Sequence, residues 1–277
     1  MVVEAVPEGK YAEVGGGITM HYHDAGSGER GAVVFIHGSG PGASGWSNFK
    51  GNYPALAEQG FRTIVPDTLG YGYSTKPAEG TYSLSDVAGQ YKALLDSIGI
   101  DRVAVIGNSQ GGAIAITMAL EYPELVEKLV LMAPGGLEAR ETYMEMEGIK
   151  AMIRVLFKEG ISKETMRKVF TLQLHDESLI TDEIIEERYQ VAMTQHKDNI
   201  ARIHVKNQEE RLSEIECPVL CFWGMNDKFC PSSGATKIAE RCKDSRTLLL
   251  SQCGHWVMVE HAQTFNTLTQ AFLTNTL

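Results

Sequence analysis

The chain has 277 residues, of which 43% are hydrophobic and 22% charged, a composition typical of a globular protein and not of a disordered or collagen-like one. Its formal net charge of −10 argues against a nucleic-acid partner, because an acidic surface repels the phosphate backbone. No apolar run reaches the ~18 residues that a membrane helix needs, and the start of the chain lacks the basic and apolar regions of a signal peptide. Five cysteines without a C-x-x-C pair favour free thiols in a reducing cytoplasm.

Short apolar runs alternate with helical patterns along most of the chain. Strands are predicted where a run is apolar on both faces, at residues 32–36, 62–65, 103–106, 128–132, 219–223 and 247–250. Helical patterns cover residues 84–98, 111–121 and 263–273. This alternation predicts an α/β fold with a mostly parallel, doubly wound sheet. In such sheets, ligands bind at the carboxyl ends of the strands.

Residues 136–212 differ in composition from the rest of the chain. This stretch of 77 residues holds 15 acidic and 12 basic residues but only 3 of the 28 glycines. Capping residues at Ser162 and Thr181 introduce helical patterns within it. Helices inserted between two strands lie over the strand ends, so we expect a lid that shapes a pocket and excludes water. The predicted domains are a core of residues 1–135 and 213–277 and a helical lid of residues 136–212.

A glycine-rich loop follows the first predicted strand, where residues 37–42 read HGSGPG. Such a loop exposes backbone N–H groups, and one of them can form an oxyanion hole with the N–H that follows a nucleophile. This predicts oxyanion donors at Ser39 and Gln110. The loop lacks the lysine and the spacing of a phosphate-binding P-loop. We expect His37 to have a structural role in the loop.

Residues 107–111 read G-N-S-Q-G between a predicted strand and a predicted helix, which is the G-x-S-x-G nucleophile elbow in its expected context. A serine hydroxyl needs a base to take its proton and an acid to orient that base. Asp227 follows the fifth predicted strand, and His255 lies in a glycine turn after the sixth. Asp244 precedes a strand and would lie at the wrong edge. The sequence therefore predicts a catalytic triad of Ser109, Asp227 and His255, in the chain order of an α/β-hydrolase.

Longer segments resemble one family within the α/β-hydrolase superfamily. HGSGPGASGWSN at residues 37–48, GNSQGG at residues 107–112 and CGHW at residues 253–256 resemble the meta-cleavage product hydrolases, which cleave a carbon–carbon bond during the degradation of aromatic compounds. The resemblance covers nearly the whole chain, including residues 147–150 and 176–189 in the predicted lid. It implies a 2-hydroxy-6-oxo-hexa-2,4-dienoate substrate with a variable group at C6, and a homo-oligomer of two or more chains.

The resemblance also assigns substrate-binding residues. Ser39 and Gln110 match the family's oxyanion donors. Arg188 matches the arginine that binds the substrate carboxylate, and a guanidinium fork suits a carboxylate in a dry pocket. Four further positions match residues that contact the dienoate, namely Gly40, Asn48, Asn108 and Trp256. By themselves, the two asparagines would be read as turn residues, Arg188 as surface charge and Trp256 as core.

The chemistry that the resemblance implies needs no metal and no organic cofactor. The substrate is first ketonised by protonation at C5. Ser109, activated by His255, then attacks C6, and the C5–C6 bond breaks. Water releases the acyl group from Ser109, giving 2-hydroxypenta-2,4-dienoate and a carboxylic acid. His21 and His23 lie in a predicted strand without a third ligand nearby, so we expect a hydrogen-bonded pair and not a metal site.

Departures from the family pattern leave the C6 group open. Tyr189 stands where the biphenyl branch has tryptophan, and Gln173 and His175 replace aromatic positions beside that group, so phenyl, alkyl and hydrogen all remain possible. Two other functions also remain. A carboxylesterase or lactonase on the same fold would keep the triad but have no use for Arg188 together with Asn48. A non-catalytic ligand receptor on a hydrolase scaffold belongs to a different class.

Overall fold

In residues 6–196 and 198–277, which the computed structural model describes, the chain forms one sheet of eight strands and a second sheet of two. The strand order of the large sheet is β1-β2-β4-β3-β6-β7-β9-β10, and the small sheet pairs β5 with β8. The strands are β1 (Lys10–Glu13), β2 (Thr19–Ala25), β3 (Ala32–Ile36), β4 (Arg62–Pro66), β5 (Tyr82–Ser83), β6 (Val103–Asn108), β7 (Val126–Met132), β8 (Ile203–His204), β9 (Val219–Gly224) and β10 (Ser245–Leu250).

All six predicted strands are confirmed, and they form the parallel part of the sheet from β4 to β10. Strand β1 was not predicted, whereas β2 is the predicted strand that carries His21 and His23. Strand β1 pairs antiparallel with β2, and β2 pairs antiparallel with β4. Neighbouring residues of one strand enter different hydrophobic clusters: Val34 and Ile36 pack in one, and Val33 and Phe35 in the other. Both faces of the sheet are therefore covered, which explains why its central strands are apolar throughout.

The helices cover the sheet and fill the segment between β7 and β9. They are α1 (Gly45–Phe49), α2 (Tyr53–Glu58), α3 (Leu84–Ser97), α4 (Gln110–Glu121), α5 (Arg140–Glu145), α6 (Glu147–Arg154), α7 (Lys163–Gln173), α8 (Asp182–Ala192), α9 (Asn199–Arg202), α10 (Ser233–Arg241), α11 (Val257–Glu260) and α12 (Ala262–Leu273). The predicted helices at residues 84–98, 111–121 and 263–273 are confirmed to within one residue at each end.

Helices α5 to α9 all lie in residues 136–212, the predicted lid. Helix α6 continues into a π-helical turn at Val155–Glu159. The predicted caps are confirmed, since Ser162 Oγ accepts from the Thr165 backbone at 3.1 Å and Thr181 Oγ1 accepts from Ile184 at 3.3 Å. The pairing of β8 with β5 joins the end of this segment to the loop before α3. That the segment acts as a lid stays a prediction.

The expectation of a hydrogen-bonded histidine pair on β2 is right for one member and wrong for the other. The Nδ1 atom of buried His21 lies 2.8 Å from Asp67 Oδ2. His23 is also buried, but neither of its ring nitrogens has a hydrogen-bond partner. The two rings meet edge to face with their centroids 4.9 Å apart. The Asp67 carboxylate bonds to His21, so His23 lies on the same face of the strand without an acceptor.

None of the described helices is long and apolar enough to cross a membrane. Among the described residues, no group of three or more His, Cys, Asp or Glu side chains is arranged to hold a metal ion. All five cysteines are free thiols, and four of them are buried.

Candidate active site

Ser109 lies at a sharp turn between β6 and α4. Its backbone has φ 56° and ψ −119°, a conformation that is strained for a residue other than glycine. The turn is tight because its flanking glycines touch other backbone. A Cβ atom at Gly111 would lie 2.1 Å from the Ile36 carbonyl oxygen, and one at Gly107 would lie 2.5 Å from the Gly111 carbonyl oxygen. The G-x-S-x-G spacing therefore presents Ser109 at the carboxyl end of the sheet.

Asp227 and His255 come from the loops after β9 and β10, and they are in direct contact. His255 Nδ1 lies 2.7 Å from Asp227 Oδ2, and both side chains are almost completely buried. The other carboxylate oxygen accepts backbone N–H groups from Phe229 at 2.7 Å and Cys230 at 2.9 Å. A carboxylate at Nδ1 favours the tautomer with its proton there, which leaves Nε2 available as a base.

The loops that carry Asp227 and His255 meet because two glycines lie against each other. A Cβ atom at Gly224 would lie 2.0 Å from the Gly254 carbonyl oxygen. The Asn226 backbone N–H also donates to the Cys253 carbonyl at 2.9 Å. Two parallel strands that are neighbours in the sheet thus place their following loops together, as the strand order predicts.

Within the described chain, no hydrogen bond joins the Ser109 hydroxyl to His255. The thiol of buried Cys230 lies near Ser109. Burial raises the pKa of that thiol well above its ordinary value, as does the Asp227 carboxylate, while the contact with Ser109 lowers it. Catalytic hydrogen bonds are often unformed in an unliganded enzyme.

Phe229 supports the imidazole from one face. Its ring stacks on His255 with a centroid distance of 5.1 Å and an interplanar angle of 25°. On its other side, the ring lies against the first turn of α6, where a Cβ atom at Gly148 would be 2.4 Å from the Phe229 ring. The Gly148 backbone N–H also donates to the Lys228 carbonyl at 2.8 Å. The Phe229 ring therefore connects the imidazole of His255 to residues 136–212.

The glycine-rich loop after β3 lies beside Ser109. A Cβ atom at Gly38 would be 3.1 Å from Ser109 Cβ and 3.0 Å from Asn108 Oδ1. No hydrogen bond within the described chain occupies the backbone N–H of Ser39 or that of Gln110, the first residue of α4. The two predicted oxyanion donors therefore have N–H groups free to donate to a negatively charged oxygen.

Two of the predicted substrate-binding residues, Asn108 and Gly40, lie in the chain segments beside Ser109. Asn108 donates its amide to the Met132 carbonyl at 3.2 Å, while its buried side-chain oxygen has no partner. Gly40 has φ 137°, a conformation that other residues rarely adopt. Asn108 directly precedes Ser109 in the sequence. Gly40 permits the backbone bend of the glycine-rich loop that passes Ser109.

Arg188 is a buried cation on α8. Its Nη2 atom donates to the Ser47 carbonyl at 3.0 Å and to Asn48 Oδ1 at 2.9 Å. The guanidinium carbon lies 4.3 Å from the Trp256 ring centroid and 5.5 Å from that of Phe170. No ion pair joins Arg188 to a carboxylate among the described residues. Burial lowers the pKa of the guanidinium to about 10, and nearby Glu187 raises it.

Arg188, Asn48 and Trp256 line a cavity of about 180 Å³. Its other walls are mostly apolar, and they include Phe170, Leu174, Ile180, Ile184, Met258 and Val259. The neighbouring carboxylate of Glu187 is 2.6 Å from Lys50 Nζ, so it is committed to another cation. Three of the predicted substrate-binding residues thus meet at one cavity, whose lining does not include Ser109 or His255.

Comparisons with known proteins identify the family of the chain. Residues 31–262 match the model of the alpha/beta hydrolase fold family. The chain is 38% identical over 264 residues to a 2-hydroxy-6-oxo-6-phenylhexa-2,4-dienoate hydrolase of Comamonas testosteroni, covering 92% of this chain and 91% of the relative. It is 37% identical over 265 residues to a 2-hydroxy-6-oxononadienedioate/2-hydroxy-6-oxononatrienedioate hydrolase of the same organism, with the same coverage.

Among solved structures, a meta-cleavage product hydrolase from Pseudomonas fluorescens, determined as a serine-to-alanine mutant complexed with acetates, has a TM-score of 0.85 and 28% identity. The alignment covers 97% of this chain and 98% of that one. The chain belongs to the meta-cleavage product hydrolases of the α/β-hydrolase fold. The resemblance carried by residues 37–48, 107–112 and 253–256 is thereby confirmed, and so is the prediction of an enzyme.

The site of this hydrolase contains three residues that sequence reasoning missed. Phe229 and Cys230 follow Asp227 by two and three positions, and the Asp227 side chain accepts both of their backbone N–H groups. An Asx-type turn after a strand-end aspartate was the available signal. Glu260 contacts three backbone N–H groups, and no local pattern indicated this.

Proposed function

We propose that this hydrolase cleaves the C5–C6 bond of a 2-hydroxy-6-oxo-hexa-2,4-dienoate. The observation that carries the proposal is the buried guanidinium of Arg188, which has no carboxylate partner among the described residues and faces a mostly apolar cavity. A buried cation without a counter-ion is costly unless a ligand supplies one. A substrate carboxylate would do so, with Asn48 and Trp256 fixing its orientation.

Residues 136–212 would act as the lid over this substrate. Arg188, Phe170 and Gly148 all belong to that segment, while Ser109, Asp227 and His255 belong to the core of residues 1–135 and 213–277. The carboxylate and the reacting carbon would thus be held by different parts of the chain. Closing the two over the substrate would exclude water until the carbon–carbon bond breaks.

The first chemical step is ketonisation. The 2-hydroxyl group loses its proton, and C5 gains one, so that the dienol becomes a 2-oxo compound with a double bond between C3 and C4. This change matters because it makes the C2 carbonyl an acceptor for the electrons of the C5–C6 bond. The charge on Arg188 beside the C1 carboxylate would hold that end of the molecule in place while the proton moves.

Ser109 then attacks the C6 carbonyl, and His255 Nε2 takes its proton. The developing oxyanion accepts from the N–H groups of Ser39 and Gln110, each worth roughly 3 kcal/mol. As the C5–C6 bond breaks, its electrons pass through the conjugated chain to the C2 oxygen, and the proton held by His255 is returned to this leaving group. Water, deprotonated by His255, then releases the acid from Ser109. The products are 2-hydroxypenta-2,4-dienoate and a carboxylic acid.

A panel of substrates with different C6 groups tests the proposal. The purified enzyme should bleach the yellow dienoate with at least one of phenyl, alkyl or hydrogen at C6, or with the carboxyalkyl group that a dienedioate carries. Bleaching by a Ser109→Ala variant should be absent. If the wild type turns over p-nitrophenyl esters rapidly but bleaches none of these dienoates, the enzyme is an esterase. If it binds a dienoate but turns over neither class, it is a ligand receptor.

We also propose that the protein is a cytoplasmic homo-oligomer. Free thiols support a reducing compartment. Edge strand β10 exposes 49% of Leu249, and an exposed apolar edge supports pairing with a second copy. Light scattering on a gel-filtration column should give a mass of at least twice 30.4 kDa. A single species at the monomer mass would contradict the proposed assembly.

A further inference from the structure

Glu260 is the last residue of α11, five positions after His255, and it is half-buried. Its Oε2 atom accepts the backbone N–H of Gly254 at 2.5 Å. Its Oε1 atom accepts the backbone N–H groups of His175 at 2.5 Å and Asp176 at 2.9 Å. No ion pair with Lys, Arg or His is found for Glu260 in the described parts of the chain. The negative charge of Glu260 is therefore stabilised by three backbone N–H groups. The backbone fixes the direction of these donors, whereas a lysine side chain could rotate away.

These three bonds join two different parts of the protein. Gly254 precedes His255 in the core, whereas His175 and Asp176 follow α7 in the proposed lid. The backbones also touch directly, since His255 N–H donates to the Gln173 carbonyl at 2.7 Å. A Cβ atom at Gly254 would lie 2.4 Å from that same carbonyl oxygen. The Glu260 carboxylate therefore bridges two backbone segments that lie too close together for a side chain to fit between them.

The segment that Glu260 binds also forms part of the cavity. Leu174 lies between Gln173 and His175 and lines the cavity together with Arg188 and Trp256. Trp256 lies between His255 and Glu260, and its carbonyl accepts the Glu260 backbone N–H at 3.0 Å. The Glu260 carboxylate thus connects the backbone beside His255 to the segment of Leu174, which forms one wall of the cavity.

We infer that Glu260 is a positioning residue: by tying residues 173–176 to residues 253–255, its carboxylate sets the position of the His255 imidazole relative to Ser109. The inference rests on the proposed function only for the identity of the substrate. Its effect is expected in kcat, because a displacement of about 1 Å of a catalytic group can cost on the order of 100-fold in rate. It is not expected in binding, because Arg188 and Asn48 do not depend on Glu260 for their mutual contact.

The test compares Glu260→Gln with Glu177→Gln. The glutamine at residue 260 keeps the size of the side chain but replaces one acceptor oxygen by an amino group, so the bonds to one of the two segments are lost. Glu177 is an exposed carboxylate of the same segment, and its variant controls for the loss of charge. Activity is divided by the concentration of active sites titrated with a fluorophosphonate, which removes any unfolded fraction.

For Glu260→Gln we expect kcat per active site to fall by about 10- to 100-fold, with KM within about 3-fold of the wild type. Hydrogen exchange at the amides of Gly254, His175 and Asp176 should accelerate, and Glu177→Gln should change neither quantity. An unchanged kcat per titrated site would overturn the inference, whatever happens to the melting temperature, because the residue would then be purely structural. A rise in KM alone, with kcat per titrated site unchanged, would overturn the inference as well.

Two provisions keep the test decisive. If Glu260→Gln does not fold, Glu260→Asp keeps the charge but shortens the reach, and the same fall in kcat is expected. The whole series is also run on p-nitrophenyl acetate. If the wild type hydrolyses this ester but no dienoate, the proposed substrate is wrong while the role of Glu260 is still measured. If the dienoate is cleaved and Glu260→Gln keeps full kcat on both substrates, only the inference about Glu260 fails.

Discussion

The central carbon of the Arg188 guanidinium lies over Trp256, 4.3 Å from the ring centroid. Trp256 follows His255 directly in the sequence, so the ring that contacts the cation and the proposed catalytic base belong to adjacent residues. A cation over an indole face gains about 0.5–2 kcal/mol, which offsets only part of the cost of burying an unpaired charge. The site is therefore organised around a cation that an anionic ligand would stabilise further.

Replacing Arg188 by Gln should impair dienoate hydrolysis selectively. Loss of one partner from a buried charge pair costs about 2–5 kcal/mol, so kcat/KM for a dienoate should fall roughly 30-fold or more. For a neutral p-nitrophenyl ester the change should stay below about 3-fold, because no carboxylate is bound. Arg154→Gln, at an exposed position on α6, is the matched control. Equal losses on both substrates would assign Arg188 a structural role.

Replacing Ser109 by Ala should abolish turnover but not binding. Removal of a serine nucleophile lowers kcat by about 10⁴-fold or more, whereas the contacts of Arg188 and Asn48 are unaffected. Stopped-flow spectroscopy should therefore show the dienoate bound with an altered absorbance that does not decay. The exposed Ser213→Ala serves as the control. Residual activity close to that of the wild type would exclude Ser109 as the nucleophile.

Two glycine-to-alanine substitutions should change stability in opposite directions. At Gly111 the new methyl group would lie 2.1 Å from the Ile36 carbonyl, and the overpacking should cost about 1–3 kcal/mol. At Gly89, inside α3, it would meet only Tyr122 Oη at 3.6 Å, and the better helix propensity should add about 1 kcal/mol. Calorimetry should show melting temperatures shifted down by about 2–10 °C and up by about 2–4 °C respectively. Shifts of the same sign would contradict this account.

The buried His23 should make stability depend on pH. Burial and the neighbouring His21 lower the pKa of His23 below its ordinary value of 6.5. Below pH 6.5 the unfolded chain therefore binds a proton that the folded chain does not, so the free energy of unfolding falls as the pH drops from about 6.5 to the folded-state pKa. Above about 6.5 this contribution is constant.

Urea unfolding between pH 4.5 and 8 measures the effect. His23→Leu should reduce the slope below pH 6.5, while the exposed His204→Gln should leave it unchanged. Part of the slope should remain, since burial also lowers the pKa of His37. Asp67 acts in a lower range: burial opposes its ionisation, but the bond from His21 and nearby charges hold its pKa below 3.8, so its contribution is lost only as the pH falls below that value. A slope identical in His23→Leu and wild type would show that His23 does not titrate on unfolding.

Local patterns in the sequence determined the parallel strands and the elbow. Residues 103–106 are apolar on both faces, and this requires cover on both sides whatever the rest of the chain does. The turn at Ser109 needs glycine at position 107, where the Gly111 backbone leaves no room for a side chain. The order of Ser109, Asp227 and His255 followed from the strand that precedes each residue, because parallel strands share one carboxyl edge. Such features depend on residues a few positions apart.

The tertiary structure decided which polar groups are buried together. Arg188 bonds to Ser47, 141 positions away, and nothing in its own helix distinguishes it from the partly exposed Arg167 on α7. His23 has no partner because Asp67 bonds only to His21. Glu260 acquired three donors, and two of them, His175 and Asp176, come from a loop far away in the sequence. Burial of a charge is settled by all the segments that surround it, and its cost depends on whether they supply a partner. That balance is a property of the packed chain, and no short stretch of sequence contains it.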